Sequence, residues 1–343
     1  MNKERVVKVL HLVNPFDIQY SEQELPIVKE REVLIKVMYV AICGSDKKLY
    51  CGQYSGKVTY PIILGHEWVG VVSAVGENSK KYYKEGDVVT GDCSLYCDDC
   101  PNCQKDKNQC LHIQKKGITV NGALCEYIKC DYKYLYNITN IIGINSQDAL
   151  DVYALTEPLA VALHGINKSL KGEIQNALII GSGGIGSLAA LALSNKKVKR
   201  IVITDVFEEK LEVIKGCNIL NIEAVSDFAD IDEKFDFIIE ASGSDGILNQ
   251  SIQMLNSNGT LLCIGHHGNV EINWKYIVQK SLSIIGSIGG TGDFEEAITL
   301  ISKNEEIVRK LFTRRLPFSS YKAIFETSTA DIKTVIAIGA VCD

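Results

Sequence analysis

Cys97, Cys100, Cys103 and Cys110 follow a C-x2-C-x2-C-x6-C spacing, interleaved with Asp, Pro, Asn and Lys rather than apolar residues. Close spacing with polar filler suits a loop wrapped on one tetrahedral Zn2+ at about 2.3 Å per sulfur. Four sulfurs leave no open position, so the predicted role is structural; an iron–sulfur cluster is the alternative. A second donor set is dispersed. Cys43 stands in Cys-Gly-Ser-Asp after a predicted strand, His66 and Glu67 open another strand, and Glu157 lies in Thr-Glu-Pro-Leu. One thiolate, one imidazole and one or two carboxylates suit a catalytic metal whose shell is completed by water or substrate. Taken singly, the same residues also read as a core thiol, a β-edge histidine and a salt-bridge partner.

Gly181-Ser182-Gly183-Gly184-Ile185-Gly186 fits G-x-G-x-x-G, a weak pattern alone. Here it follows a predicted strand, opens a predicted helix, and precedes Asp205 by 19 residues counted from Gly186. In that context Gly181 makes the turn, Gly183 admits a pyrophosphate, and Gly186 allows close helix–strand packing. Asp205 would accept from the adenosine ribose hydroxyls and repel a 2′-phosphate, favouring NAD over NADP. Lys210 is expected along the ribose or adenine.

The elements that position these residues fall into two textures. Over residues 1–150, short alternating runs such as 33–40 and 68–75 are separated by Gly, Pro, Asn and Asp, which predicts an antiparallel β domain carrying the cysteine lobe at about 93–112. Over 151–285 strand and helix alternate, with buried parallel strands predicted at 177–180, 200–204, 235–240, 260–264 and 282–285. Residues 286–343 hold one helical stretch, 294–302, and a mixed tail. The 22 residues 174–195 carry no charge, yet their glycines and serines divide them into strand, turn and helix, so no membrane span is expected.

The 343 residues are 46% hydrophobic and 23% charged, which excludes disorder, collagen and coiled coil. A net charge of −6 disfavours nucleic acid as a partner. Twelve cysteines in a chain long enough to bury its own core, with no secretory leader evident, point to metal-bound thiolates and a cytoplasmic location. Cys93, Cys125 and Cys130 lack ligand spacing and read as ordinary buried thiols.

Taken in order, Cys-Gly-Ser-Asp at 43–46, Gly-His-Glu at 65–67 with Gly70 and Gly76, the four-cysteine lobe, Glu-Pro-Leu at 157–159 and the glycine turn resemble the zinc-dependent medium-chain dehydrogenases, most of all the sorbitol (polyol) branch. The resemblance spans essentially the whole chain. It implies an α/β architecture: a GroES-like β domain, a Rossmann coenzyme domain with a doubly wound parallel sheet, and a C-terminal segment returning to the first domain. It implies two zinc ions per chain, with Cys43 and His66 as catalytic ligands, Glu67 and Glu157 as ligand or near-ligand carboxylates, and Asp46 orienting His66. The implied activity is hydride transfer between NAD and a secondary alcohol of a polyol. The metal lowers the hydroxyl pKa and Ser45 passes the proton outward. Lys48 stands where many relatives keep a relay histidine, so Ser45, Lys48 and Glu157 are the candidate catalytic residues.

The chain departs from that pattern in two places. The last cysteine gap is six residues where seven is usual, and residues 286–290 read Gly-Ser-Ile-Gly-Gly without the arginine that polyol enzymes use on substrate hydroxyls. Tyr50 is kept from the polyol pattern, while Trp68 follows Gly-His-Glu where smaller residues are common. Lys47 and Lys48 leave a phosphorylated polyol as an alternative substrate; an amino alcohol (threonine-like) is a further alternative, and a non-catalytic NAD- and zinc-binding relative is the contrasting class. A homodimer or homotetramer is implied through the edge of the coenzyme sheet.

Overall fold

The computed structural model describes residues 6–141, 147–170, 172–244, 246–326 and 328–339. The β-branched runs Glu32–Ile42 and Glu67–Val75 pair antiparallel at the centre of the first large sheet. Its order is Leu135–Asn137, Val88–Gly91, Glu67–Val75, Glu32–Ile42, Lys333–Ala337, Phe312–Pro317, and Tyr127–Asp131 also pairs with Glu32–Ile42. Val6–Asn14, Asp17–Glu24 and Ile62–Ile63 form a smaller sheet whose Leu10, Leu12 and Ile62 share one apolar cluster with Ile35, Trp68 and Val89.

The mixed tail resolves into strands that the sequence did not announce. Lys333–Ala337 pairs antiparallel with Glu32–Ile42 and parallel with Phe312–Pro317, so the chain returns to the middle of its first sheet.

The second sheet is wholly parallel, in the order Ile222–Val225, Arg200–Thr204, Asn176–Ile180, Phe235–Glu240, Leu255–Cys263, Ser283–Gly286. Numbered along the chain this is 3-2-1-4-5-6, the doubly wound order, and its crevice opens at the carboxyl ends of the first and fourth strands. The edge strand Ile222–Val225 was not foreseen, because four residues, three half-buried and one exposed, carry no period. The uncharged stretch 174–195 becomes the strand Asn176–Ile180, a turn, and the helix Gly184–Asn195. Among the described residues no helix is long and apolar enough to cross a membrane.

The helix Thr156–Ser169 joins the two sheets. Its Leu159, Ala160, Leu163 and Ile166 are fully buried in one cluster with Ala41 and Val69 of the first sheet and Phe237 and Leu262 of the second. Each buried Leu or Ile contributes on the order of 1.5–3 kcal/mol of transfer free energy. Glu157 sits in the first turn of this helix and is therefore held at the seam.

Candidate active site

The strand Glu32–Ile42 ends at Cys43, which caps the short helix Gly44–Tyr50. Glu67 opens the neighbouring strand with His66 just before it, so antiparallel pairing brings the two loops together. One carboxylate fixes both. Asp46 Oδ2 accepts from the Cys43 amide at 2.8 Å and Oδ1 from the Gly65 amide at 3.2 Å, while Oδ1 faces His66 Nδ1 at 3.4 Å. Gly65 makes this approach with φ +91°, and a Cβ there would press on Val40 and Leu124. The donor atoms of Cys43, His66 and Glu67 all lie within 4.8 Å of one another, a separation that one ion can bridge. Ser45 Oγ lies 3.3 Å from His66 Nε2.

Burial opposes the imidazolium form of His66, but the facing Asp46 and Cys43 outweigh it and hold its pKa well above the ordinary value. Burial likewise pushes Asp46 up, and His66 with the two amides brings it below the usual carboxylate range. Glu67 is fully buried, and both its oxygens accept from Lys333 Nζ of the returning strand. Glu157 stands outside the trio. Its Oε1 accepts from the buried thiol of Cys93 at 3.2 Å, and burial, reinforced by Glu67, raises its pKa.

The glycine turn sits at the sheet crevice. Gly181 takes φ +98° against Ser242, and a Cβ on Gly186 would overlap the carbonyl oxygen of Gly181. A Cβ on Gly183 would meet nothing within 4 Å, so the backbone at the helix N-terminus faces open space, the setting in which a pyrophosphate is held. Ile185 lies in the first turn of that helix. Asp205 Oδ2 accepts from the amide and hydroxyl of Ser182 at 2.7 and 3.0 Å, and Oδ1 from the Phe207 amide at 3.1 Å. Lys210 Nζ lies 4.7 Å from the centre of the Phe207 ring.

In the cysteine lobe Sγ–Sγ distances are 3.5 Å for Cys97–Cys110 and Cys100–Cys103, and 3.9 Å for Cys97–Cys103 and Cys100–Cys110. A tetrahedral ion with bonds of about 2.3 Å requires sulfurs about 3.8 Å apart. The six-residue gap therefore brings Cys110 into the ring; Asp106 tightens the turn by accepting from the Asn108 amide at 2.9 Å. The Leu111 amide draws the Cys100 thiol down to about 6, as thiolate ligation requires, while burial pushes Cys103 up to about 12.

The chain is similar to known proteins in sequence and in fold. Residues 29–140 match the family model of the alcohol dehydrogenase GroES-like domain, and residues 150–338, more than half of the chain, match that of the glucose dehydrogenase C-terminus. The chain belongs to the zinc-dependent medium-chain dehydrogenases. It is 28% identical over 316 residues to D-arabinitol dehydrogenase 1 of Uromyces fabae, covering 86% of each chain. It is 27% identical over 323 residues to D-arabitol-phosphate dehydrogenase of Enterococcus avium, covering 90% of this chain and 89% of the other. Among solved structures, the alcohol dehydrogenase rspB of E. coli CFT073 in complex with NADH superposes with a TM-score of 0.85 at 25% identity, over 97% of this chain and 99% of that one.

For this medium-chain dehydrogenase, sequence reasoning named candidate donors that the fold brings together and missed what supports them. Cys93, read as an ordinary thiol, donates to Glu157. Cys125 fits that description, since its thiol donates to the Tyr127 carbonyl at 3.2 Å, and Cys342 lies outside the described residues. Lys333 gave no signal, being one lysine in an unassigned tail. Nor did Asn108, whose side chain holds Thr291 of the C-terminal segment by its amide at 3.0 Å and its carbonyl at 3.2 Å. Lys48 is exposed, and His266 of the coenzyme domain feels its charge: burial first, then Lys48, holds the imidazole below its ordinary value.

Proposed function

We propose that this dehydrogenase moves hydride between NAD and a secondary alcohol of a polyol or sugar alcohol. In this reading Cys43, His66 and Glu67 hold the catalytic zinc, Glu157 stands beside it, and Cys97, Cys100, Cys103 and Cys110 hold the structural zinc. One observation carries it. Lys333 holds Glu67 of the donor trio, and its side chain lies against Gly184, where a Cβ would overlap its Cε. The dinucleotide turn and the metal donors are thus within one side chain's reach, as direct hydride transfer demands.

Zinc, when bound, supplies acidification of the substrate hydroxyl. The chain does the rest. Asp46 orients His66 and ties its loop to Cys43; Ser45, on the Nε2 side of His66, is placed to take the hydroxyl proton; Asp205, pinned by Ser182, presents a carboxylate to the ribose. Substitution of a polyol phosphate is the second reading, favoured by the likeness to D-arabitol-phosphate dehydrogenase. The apolar side chains Trp274, Val278, Ile284 and Ile288 are exposed beside the outer strand Ser283–Gly286, which supports a second copy of the chain on that edge.

NADH formation over a panel of polyols, their phosphates and amino alcohols tests the proposal. Turnover of at least one secondary alcohol is expected, and its loss in Cys43→Ala. Zinc-loaded protein that oxidises none of them would instead be a non-catalytic relative.

A further inference from the structure

Residues 286–290 read Gly-Ser-Ile-Gly-Gly and carry no cationic side chain. A cation is held near Glu157 from another direction. The short strands Ser94–Leu95 and Gln114–Lys115 pair antiparallel with Ser94 opposite Lys115, and Lys115 Nζ donates to Ser94 Oγ at 2.7 Å. Ser94 follows Cys93, whose thiol is on Glu157, and its amide is held by Asp92 Oδ1 at 2.7 Å. Lys115 is therefore brought to the wall that carries Glu157, and its charge reaches Glu157, Cys93 and Asp92.

Its backbone is fixed. The Lys115 amide donates to Thr119 Oγ1 at 2.7 Å and its carbonyl accepts from the amides of Ile118, Thr119 and Val120. Its ammonium is less committed: among the described residues its one hydrogen bond is to a neutral hydroxyl and no carboxylate lies within 4.0 Å. Neighbouring lysines differ. Lys129 pairs with Glu32, and Lys107 pairs with Asp98. A half-buried, pre-positioned ammonium with two N–H groups to spare beside a reaction pocket is suited to an anion.

We propose that Lys115 is the specificity-determining residue of this dehydrogenase, taking an anionic group, a carboxylate or a phosphate, that the alcohol substrate carries away from its reacting carbon. The inference rests on the alcohol dehydrogenase reading above and narrows its substrate class. A lysine serving only as counter-charge to Asp92 and Glu157 would stabilise the fold and leave the choice between charged and neutral substrates unchanged.

The test compares kcat/KM for a pentitol, its terminal phosphate ester and the corresponding aldonate. The native enzyme is expected to favour one anionic member over the pentitol by about 10- to 100-fold, the worth of a charge-assisted hydrogen bond. Lys115→Met should bring that ratio to within about threefold of unity, and Lys115→Arg should keep most of it. Whichever anion wins identifies phosphate or carboxylate. Metal content and NADH binding check that Lys115→Met is folded. Should it not be, Ser94→Ala, which removes the hydroxyl that aims the ammonium, must lower the ratio. Oxidation of the neutral pentitol with no anionic preference, or a preference that survives Lys115→Met, overturns this inference and leaves the dehydrogenase reading standing. No turnover of any member, nor of any alcohol in the wider panel, overturns both.

Discussion

Lys333 and Glu67 form a buried ion pair across 266 residues of chain, the ammonium reaching both carboxylate oxygens. Burial disfavours the charged lysine, yet Glu67 and then Cys43 raise its pKa above the ordinary value. The pair joins the last described strand to the metal donors and lies under the dinucleotide turn.

Removing one partner strands the other charge in the interior. Lys333→Met is expected to cost about 3–5 kcal/mol of stability, and adding Glu67→Gln to recover a substantial part of it. Urea unfolding of the two single variants and the double variant measures the coupling. Strict additivity would mean that the two side chains do not support each other.

Two zinc ions per chain are expected from elemental analysis of the purified protein. Cys97→Ser should lose one of them and unfold at a lower temperature, because binding of a closed four-sulfur site is itself folding free energy. A native content of one zinc, with Cys97→Ser as stable as the parent, would remove the structural site.

Cofactor choice should follow Asp205. Its ionised carboxylate, held by Ser182, repels a 2′-phosphate, so Asp205→Ala should lower the NAD to NADP ratio of kcat/KM by about tenfold or more. A ratio unaffected by the substitution would place selectivity elsewhere.

The pH profile tests the proton path. His266 is held below its ordinary pKa by burial, then by the charges of Lys48 and His267. If neutral His266 receives the proton that leaves the cleft, activity falls as pH drops through its pKa. Lys48→Ala removes one lowering charge, raises that pKa, and moves the acid limb of kcat/KM upward by about half a unit or more. A profile unmoved in both Lys48→Ala and His266→Gln would exclude the pair from the relay.

What was legible in the sequence was local. The glycine turn and its Asp205 lie within one strand-turn-helix-strand unit, and the four lobe cysteines span 14 residues, so composition and spacing carry their chemistry. Cys43, His66 and Glu67 were legible as candidates because each follows or opens a strand. Contacts made only when distant segments close were not. Cys93 on Glu157, Lys115 on Ser94, Asn108 on Thr291 and Lys333 on Glu67 each depend on tertiary register, and nothing in the flanking residues distinguishes them. Ile222–Val225 was lost for a different reason, since a four-residue edge strand is too short to display a period.

The return of Lys333–Ala337 to the interior of the first sheet sets a constraint on biosynthesis. Residues 29–140 leave the ribosome early, yet the sheet they build keeps an open seam beside Glu32–Ile42, and Glu67 keeps no counter-ion, until more than 190 further residues have been made. The coenzyme sheet, contiguous from Asn176 to Gly286, can close on its own during synthesis. Of these two domains, the one earlier in the chain is thus the later to gain its full sheet.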